Sequence, residues 1–188
     1  MKTHTFLLAA LTLLLSVSCT QKSETTRSGL DPADFNAVVD GKPVALYTLK
    51  NAAGMEVCIT NFGGRIVSLM VPDRNGELRD VVLGFDNIAD YQNVPSDFGA
   101  SIGRYANRID HGRLVIDGDT VQLPQNNFGH CLHGGPAGWQ YKVYEARPPD
   151  GTTLERYMDS PAGHQTLPGH GNAKATYNPT DHNPNPTP

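Results

Sequence analysis

Residues 55–76 read MEVCITNFGGRIVSLMVPDRNG, and this stretch decides the fold class. Apolar side chains occupy every second position from Met55 to Ile59, an alternation typical of a strand with one buried face. Asn61 opens an Asn-Phe-Gly-Gly break, and a second apolar run covers residues 65–71. The Pro-Asp-Arg-Asn-Gly segment that follows contains residue types that favour a turn. We therefore expect two consecutive strands here, each ended by a turn.

The same strand pattern continues through the middle of the chain. Residues 112–123 read GRLVIDGDTVQL, in which an Asp-Gly pair separates two short alternating runs and predicts a β-hairpin. Further short strands are predicted for residues 80–85 and 141–146, and only residues 86–94 could form a short helix. These features together predict an all-β, antiparallel fold.

The composition supports a turn-rich β protein. The chain has 188 residues, including 19 glycines and 14 prolines, and only 18% of its residues are charged. This balance argues against long surface helices and coiled coils. The formal net charge of −4 argues against a nucleic-acid partner, because such a partner requires a basic surface to neutralise its phosphates.

The first 18 residues resemble a signal peptide. Lys2 is followed by an apolar run over residues 6–17, which is too short to span a bilayer as a helix. Cys19 comes directly after small residues, as in the lipobox of bacterial lipoproteins, where the cysteine is lipidated. We therefore expect an exported lipoprotein, anchored through Cys19 in the periplasm or cell envelope. The alternative is an ordinary secretory signal that is cleaved near Ser18.

Two segments are predicted to lie outside the folded core. Residues 19–33 are polar and without periodicity, which indicates a flexible tether. Residues 159–188 contain six of the 14 prolines, and Leu167 is their only large aliphatic side chain. A segment with so little apolar surface to bury cannot offset its ordering entropy, so we expect a disordered tail. The core domain is then predicted to span residues 34–158.

The stretch at residues 103–109, GRYANRI, carries side chains suited to binding. Arg104 and Arg108 stand four positions apart, and Asn107 adds an amide beside the second arginine. Guanidinium forks and a bifunctional amide suit a polyhydroxylated or carboxylated ligand. The alternative is that both arginines are structural and tie loops to the edge of a sheet.

A second such stretch is NNFGHCLHGG at residues 126–135. His133 is followed by two glycines, which allow the backbone to approach a ligand closely, and its imidazole can donate, accept or titrate. We do not expect a metal site on His130, Cys131 and His133. Neighbours along an extended chain point in different directions, and no second ligand cluster follows at zinc-like spacing.

The other histidines and cysteines receive no chemical role. We expect the three histidines of the proline-rich end to be solvated, namely His164, His170 and His182. Cys58 lies in a predicted strand and is expected to be a core residue. The sequence leaves open whether Cys58 and Cys131 form a disulfide.

Taken together, these motifs resemble the aldose 1-epimerase (galactose mutarotase) family. The resemblance is carried by GRYANRI, GRLVIDGDTVQL and NNFGHCLHGG, which occur here in the family's order. The upstream segment LYTLKNAAGMEVCITNFGGRIVSLMVPDRNGELRDVVLGFDNIADY is similar to the opening strands of the family. The similarity extends over residues 35–145 and continues faintly through residues 160–169.

The resemblance implies a fold, an activity and a set of site residues. The fold would be the antiparallel β-sandwich of the galactose-mutarotase-like supersandwich type, and the reaction would interconvert the α and β anomers of a free aldose without a cofactor. Asn107 and Arg108 match the pair that hydrogen-bonds sugar hydroxyls. His133 matches the first active-site histidine, which holds and polarises the substrate near the reacting centre.

The resemblance also leaves parts of the family pattern unmatched. The family's general acid is a second histidine in a TNHxYFNL-like strand, and its general base is a glutamate further on; neither motif is found in this sequence. About half of the expected sandwich is missing, so we expect an incomplete domain. Two alternatives to an aldose 1-epimerase therefore stay open: a non-catalytic sugar-binding remnant, and a truncated, inactive fragment. The preferred aldose and the oligomeric state cannot be read from the sequence.

Overall fold

The computed structural model describes residues 24–147, 149 and 152–180. Within them, short strands dominate, with one α-helix, α1 (Ile88–Asn93), and four 3-10 turns at Pro32–Phe35, Asp110–Gly112, Trp139–Tyr141 and His164–Thr166. The strands are β1 (Ala37–Val39), β2 (Lys42–Val44), β3 (Leu46–Lys50), β4 (Glu56–Thr60), β5 (Arg65–Pro72), β6 (Leu78–Asp80), β7 (Arg108–Ile109), β8 (Arg113–Ile116), β9 (Asp119–Gln122), β10 (Cys131–Leu132), β11 (Glu145–Ala146), β12 (Leu154–Ser160) and β13 (Gly171–Tyr177). All pairings between these strands are antiparallel, which confirms the predicted fold class.

The main sheet has the strand order β3-β4-β5-β6, and it contains the two strands predicted from residues 55–76. The prediction of one buried face is wrong for β4, because all five of its residues are buried. Cys58 packs into one core cluster with Phe35 and Tyr91. Val57 and Ile59 pack into a second cluster, so apolar layers cover both faces of this strand.

The hairpin predicted at residues 112–123 is confirmed. β8 pairs with β9 from Arg113↔Gln122 to Ile116↔Asp119. Asp117 and Gly118 between them have φ values of 52° and 92°. Positive φ at both central residues is what a tight two-residue hairpin turn requires. The predicted short helix is also present as α1, where the Asn87 side chain caps the backbone N–H of Asp90 at 2.9 Å.

The strand predicted at residues 80–85 does not form, and the strand predicted at residues 141–146 is shorter than expected. β6 ends at Asp80, and Val81 and Leu83 beyond it are 60% and 74% exposed. At the end of the strand, the Asp80 carboxylate accepts hydrogen bonds from the backbone N–H groups of Leu69 and Val82, at 3.0 and 3.1 Å. Of the strand predicted at residues 141–146, only β11 forms.

The prediction of a disordered tail is wrong for residues 159–180. β12 continues through residue 160, and β13 pairs with it along seven residues, from Leu154↔Tyr177 to Ser160↔Gly171. The residues of β13 alternate between half-buried and exposed, and its inward set includes Ala173, Ala175 and Tyr177. Because this strand turns small side chains and one tyrosine inward, it lacks the large aliphatic residues by which a sequence predicts a core strand. Residues 181–188 lie outside the described residues.

The predicted flexible tether is likewise wrong for its described part, residues 24–33. Leu30 is buried in the first core cluster. The backbone N–H of Arg27 donates to the Glu56 carboxylate at 2.6 Å, which attaches this segment to β4. A polar composition concealed these contacts, because they use backbone groups and a single leucine.

The predicted signal peptide and the lipidation site Cys19 lie outside the described residues and stay predictions. In the part of the chain that the structure describes, no helix is both long and apolar enough to cross a membrane. Cys58 and Cys131 are buried as free thiols and do not pair with each other.

Candidate functional site

A short two-stranded ladder brings the two predicted binding stretches together. β7 pairs with β10, so that Arg108 lies opposite Leu132 and Ile109 opposite Cys131. Residues 103–109 and 126–135 are therefore neighbours in space, as a shared site requires. Each segment contributes only two residues to this ladder, which explains why no strand was predicted there.

His133 and Asn107 are held together by two reciprocal hydrogen bonds. The backbone N–H of His133 donates to the Asn107 carbonyl at 3.0 Å. The backbone N–H of Asn107 in turn donates to Nδ1 of the His133 ring at 2.9 Å. Because Nδ1 accepts this bond, the neutral imidazole carries its proton on Nε2. The ring therefore presents an oriented N–H donor.

Arg108 is oriented by a different neighbour. Its Nε donates to the Asn127 side-chain oxygen at 2.9 Å, and its side chain is exposed. Among the described residues this is its one side-chain hydrogen bond, so the terminal guanidinium nitrogens are left available as donors. Asn127 belongs to the stretch NNFGHCLHGG, but the sequence alone does not indicate that it orients Arg108 in the candidate site.

Glycine allows the His133 loop to lie directly on the other binding stretch. A Cβ atom on Gly134 would lie 1.9 Å from the Gly103 carbonyl oxygen, and the backbone there has a φ of 79°. Any other residue would clash and would be strained as well. This close contact fixes the distance between the two loops that carry Asn107 and His133.

The two arginines of GRYANRI point to different places. Arg108 lies on the β7–β10 ladder of the candidate site, whereas Arg104 donates five hydrogen bonds to residues 160–169. Their acceptors are the hydroxyl and carbonyl of Ser160 and the carbonyls of Pro161, Pro168 and Gly169, at 2.7–3.1 Å. The structural alternative is therefore correct for Arg104.

Two of the three histidines predicted to be solvated contact other protein groups. His164 Nδ1 lies 2.8 Å from the Ser160 hydroxyl, and its Nε2 lies 3.0 Å from the Ala137 carbonyl. His170 is ion-paired with Asp159. His182 lies outside the described residues. The prediction of solvation is thus wrong for His164, because the β12–β13 connection folds back onto residue 137.

The thiol of Cys131, which lies in sequence between the two histidines of its segment, is buried. Burial raises the pKa of this thiol, which disfavours the thiolate that a metal would need. Phe128, by contrast, is 93% exposed at the tip of the turn between Asn127 and His130. An aromatic ring exposed beside Asn127 was not recognised as notable from sequence.

Comparison with known protein families identifies the proteins to which this chain is similar. The family model described as aldose 1-epimerase matches residues 45–183. The chain is 37% identical over 144 residues to the aldose 1-epimerase of Escherichia coli K12, covering 77% of this chain and 42% of that protein. It is 39% identical over 116 residues to the galactose mutarotase of Bos taurus, covering 61% and 33%, respectively.

Solved structures agree with these relatives. The GalM/aldose epimerase homologue from C. elegans superposes with a TM-score of 0.70 at 31% identity, covering 73% of this chain and 42% of that one. The galactose 1-epimerase from Lactobacillus acidophilus gives a TM-score of 0.65 at 28% identity, covering 75% and 42%. The chain spans about two fifths of the length of the Escherichia coli relative. With a family match across most of its residues, the chain belongs to the aldose 1-epimerase family.

Proposed function

We propose that this protein acts as an aldose 1-epimerase that interconverts the α and β anomers of a free aldohexose. The names of its relatives point to the substrate class, since they include an aldose 1-epimerase and a galactose mutarotase. Galactose and glucose are therefore the sugars to test. No cofactor is needed for this reaction.

One observation carries the proposal: the reciprocal bonding between Asn107 and His133. It leaves the imidazole Nε2–H as a donor whose direction is set by the backbone. Arg108 follows Asn107 and lies on the β7–β10 ladder, and its terminal guanidinium nitrogens are available as further donors. Together these groups offer several fixed donors to a ligand rich in hydroxyl oxygens, as a sugar is.

The proposed role of each group follows from the chemistry of anomer exchange. A base removes the proton from the anomeric hydroxyl while an acid protonates the ring oxygen, and the C1–O5 bond breaks to give the open-chain aldehyde. Rotation about C1–C2 and reclosure deliver the other anomer. His133 would donate to a sugar oxygen near C1 and stabilise the charge that develops there. Asn107 and Arg108 would hold the remaining hydroxyls.

Polarimetry of freshly dissolved α-D-galactose and α-D-glucose at neutral pH tests this activity directly. We expect the full chain to bring the rotation to equilibrium faster than buffer alone. A rate equal to that of buffer, together with galactose-dependent thermal stabilisation, would replace the proposal with a non-catalytic sugar-binding protein. If the chain neither speeds mutarotation nor is stabilised by galactose, a sugar function is excluded.

Two substitutions test the site itself. His133→Ala removes the oriented donor, and we expect the catalytic rate to fall by about 10²- to 10³-fold. Arg108→Ala removes hydroxyl contacts and should raise KM by about tenfold. Arg113→Ala is a matched control, because Arg113 is exposed on the neighbouring strand β8. Equal rates in all three variants would overturn the site assignment.

We also propose that the protein is exported and lipid-anchored through Cys19. The support is the apolar run at residues 6–17, followed by small residues and a cysteine. Expression with a radiolabelled fatty acid tests the proposal. We expect the label in the wild type and not in Cys19→Ser. Secretion of an unlabelled wild type would favour the ordinary secretory signal instead.

A further inference from the structure

A second group of functional side chains lies beside the sugar site. Asp110, His111 and His130 each offer one ligand atom, and these atoms lie within 4.8 Å of one another. The first two follow directly after β7, and His130 directly precedes β10. The β7–β10 ladder therefore brings together residues that are separated in the sequence.

The two imidazole rings converge on a single carboxylate oxygen. Oδ1 of Asp110 lies 2.9 Å from Nδ1 of His111 and 3.2 Å from Nδ1 of His130. The rings meet edge to face, with their centroids 5.3 Å apart. Three potential ligand atoms of two chemical types thus point into one small space.

The contacts of His130 Nδ1 place two acceptor atoms close together. The backbone N–H of His111 donates to His130 Nδ1 at 3.1 Å, so this nitrogen carries a lone pair when the ring is neutral. The same nitrogen lies within 3.2 Å of an Asp110 carboxylate oxygen, which also carries only lone pairs. The nitrogen has a single lone pair, which the His111 N–H occupies in this structure. A metal ion on Nδ1 would replace that hydrogen bond and relieve the repulsion between the two acceptor atoms.

The surroundings favour access by a hydrated ion. The side chains of Asp110 and His111 are 82% and 73% exposed, and that of His130 is 32% exposed. Arg113 lines the same open cleft and is the one positive side chain along its lining that would oppose a cation.

We propose that Asp110, His111 and His130 form a binding site for a divalent transition-metal ion, with Zn²⁺ as the ion to test. Two imidazole nitrogens and one carboxylate oxygen are ligands that zinc accepts, and an exposed site leaves further positions for water. This set shares only His130 with the group His130, Cys131 and His133, which the sequence does not predict to bind a metal together. The site does not depend on the proposed sugar chemistry.

Isothermal titration of Zn²⁺ into the metal-free full chain tests the proposal. We expect the binding attributed to this site to weaken by about 10- to 100-fold in each of Asp110→Asn, His111→Asn and His130→Asn. Asparagine is chosen at position 111 because the backbone there has a φ of 48°, which asparagine tolerates. His170→Ala is the matched control, since His170 is also an exposed histidine beside an aspartate. Affinities unchanged in the three cluster variants would overturn the proposal.

A second measurement needs no variant. The ¹⁵N resonances of the histidine rings report which nitrogens bind zinc in the wild-type protein. We expect those of His111 and His130 to shift on saturation with zinc. Unchanged resonances for these two rings, or shifts confined to other histidines, would show that the cluster holds a proton and not a metal. Because neither readout involves a sugar, the outcome is separate from the test of mutarotation.

Discussion

The sheet β3–β6 and the hairpin β12–β13 are held in the molecule by different forces. The sheet is buried through apolar side chains such as Leu49 and Ile59, which are at most 1% exposed. The hairpin contributes Leu154 to the same cluster, with Tyr177 packed against it, and it is also attached through polar contacts. Arg104 binds its carbonyls, and the Tyr177 hydroxyl donates to the Gly64 carbonyl at 2.5 Å.

This difference explains why the two regions differ in how well they can be recognised. Apolar alternation is visible in a sequence, because it follows from the two faces of a strand. An arginine that bonds backbone carbonyls some sixty residues away leaves no such pattern. The largest effects of substitution are accordingly expected in the sheet, and smaller, more local ones in the hairpin.

Ile59→Ala should have the largest effect. Ile59 is fully buried in the second core cluster, so truncation leaves a cavity and should lower the free energy of unfolding by about 2–5 kcal/mol. Urea denaturation measures this loss. Val115→Ala is the control, because Val115 is 65% exposed on β8 and should change stability by less than about 0.5 kcal/mol. Similar losses in both variants would abolish the distinction between packed and exposed strands.

Arg104→Ala should come next and should act on the hairpin and on the loop at residues 103–109, which Arg104 joins to it. Loss of the charged hydrogen bonds to residues 160–169 should cost about 1–3 kcal/mol. Hydrogen exchange should then accelerate in β12 and β13 and stay unchanged in β4 and β5. Arg113→Ala should leave both regions as they are. Faster exchange throughout the sheet would show that the two regions unfold as one unit.

Arg156→Met should have a smaller effect, of the opposite sign. The Arg156 guanidinium is fully buried over the Tyr47 ring, 3.8 Å from its centroid, and burial lowers the pKa of Arg156 to about 10. Its three side-chain nitrogens have no hydrogen-bond partner among the described residues. A methionine of similar length removes this uncompensated charge, so the free energy of unfolding should rise by about 1 kcal/mol.

Thermal unfolding of Arg156→Met beside Arg74→Met provides the check. Arg74 is exposed, so its replacement should leave the midpoint nearly unchanged. A lower midpoint for Arg156→Met would mean that stacking on Tyr47 outweighs the cost of burying the charge.

The smallest effect concerns the charges on the outer surface of the hairpin. Lys174 bonds to Glu155, and the Tyr157 hydroxyl adds a second hydrogen bond at 2.5 Å; these contacts lower the pKa of the Glu155 carboxyl. A lowered pKa in the folded state stabilises the protein at neutral pH, and this contribution disappears as the pH falls through that pKa. The difference in melting temperature between the wild type and Glu155→Gln should therefore shrink in acid. A constant difference would exclude the ion pair as its cause.

Much of the sheet could be predicted from the sequence, and less of the site. Residues 55–71 and the Asp-Gly hairpin follow local rules of alternation and turn chemistry. Asn107, Arg108 and His133 were identified through a resemblance, and their proximity came from the two-residue ladder β7–β10. The different roles of Arg104 and Arg108 could not be foreseen, because neighbouring arginines in one motif look alike until their acceptors are known. The acceptors of Arg104 lie in a segment whose small side chains gave no sign of a strand.

The long reach of the hairpin contacts also bears on the order in which the chain folds. The strands of the main sheet are consecutive in the sequence, so they can pair soon after they leave the ribosome. Tyr177 and Gly64 are 113 residues apart, and Arg104 bonds a carbonyl 65 residues further on. The loop that begins at Gly103 and carries Asn107 and Arg108 therefore gains its final support only after the hairpin has been synthesised. We expect the sheet to form early and the site to be completed late.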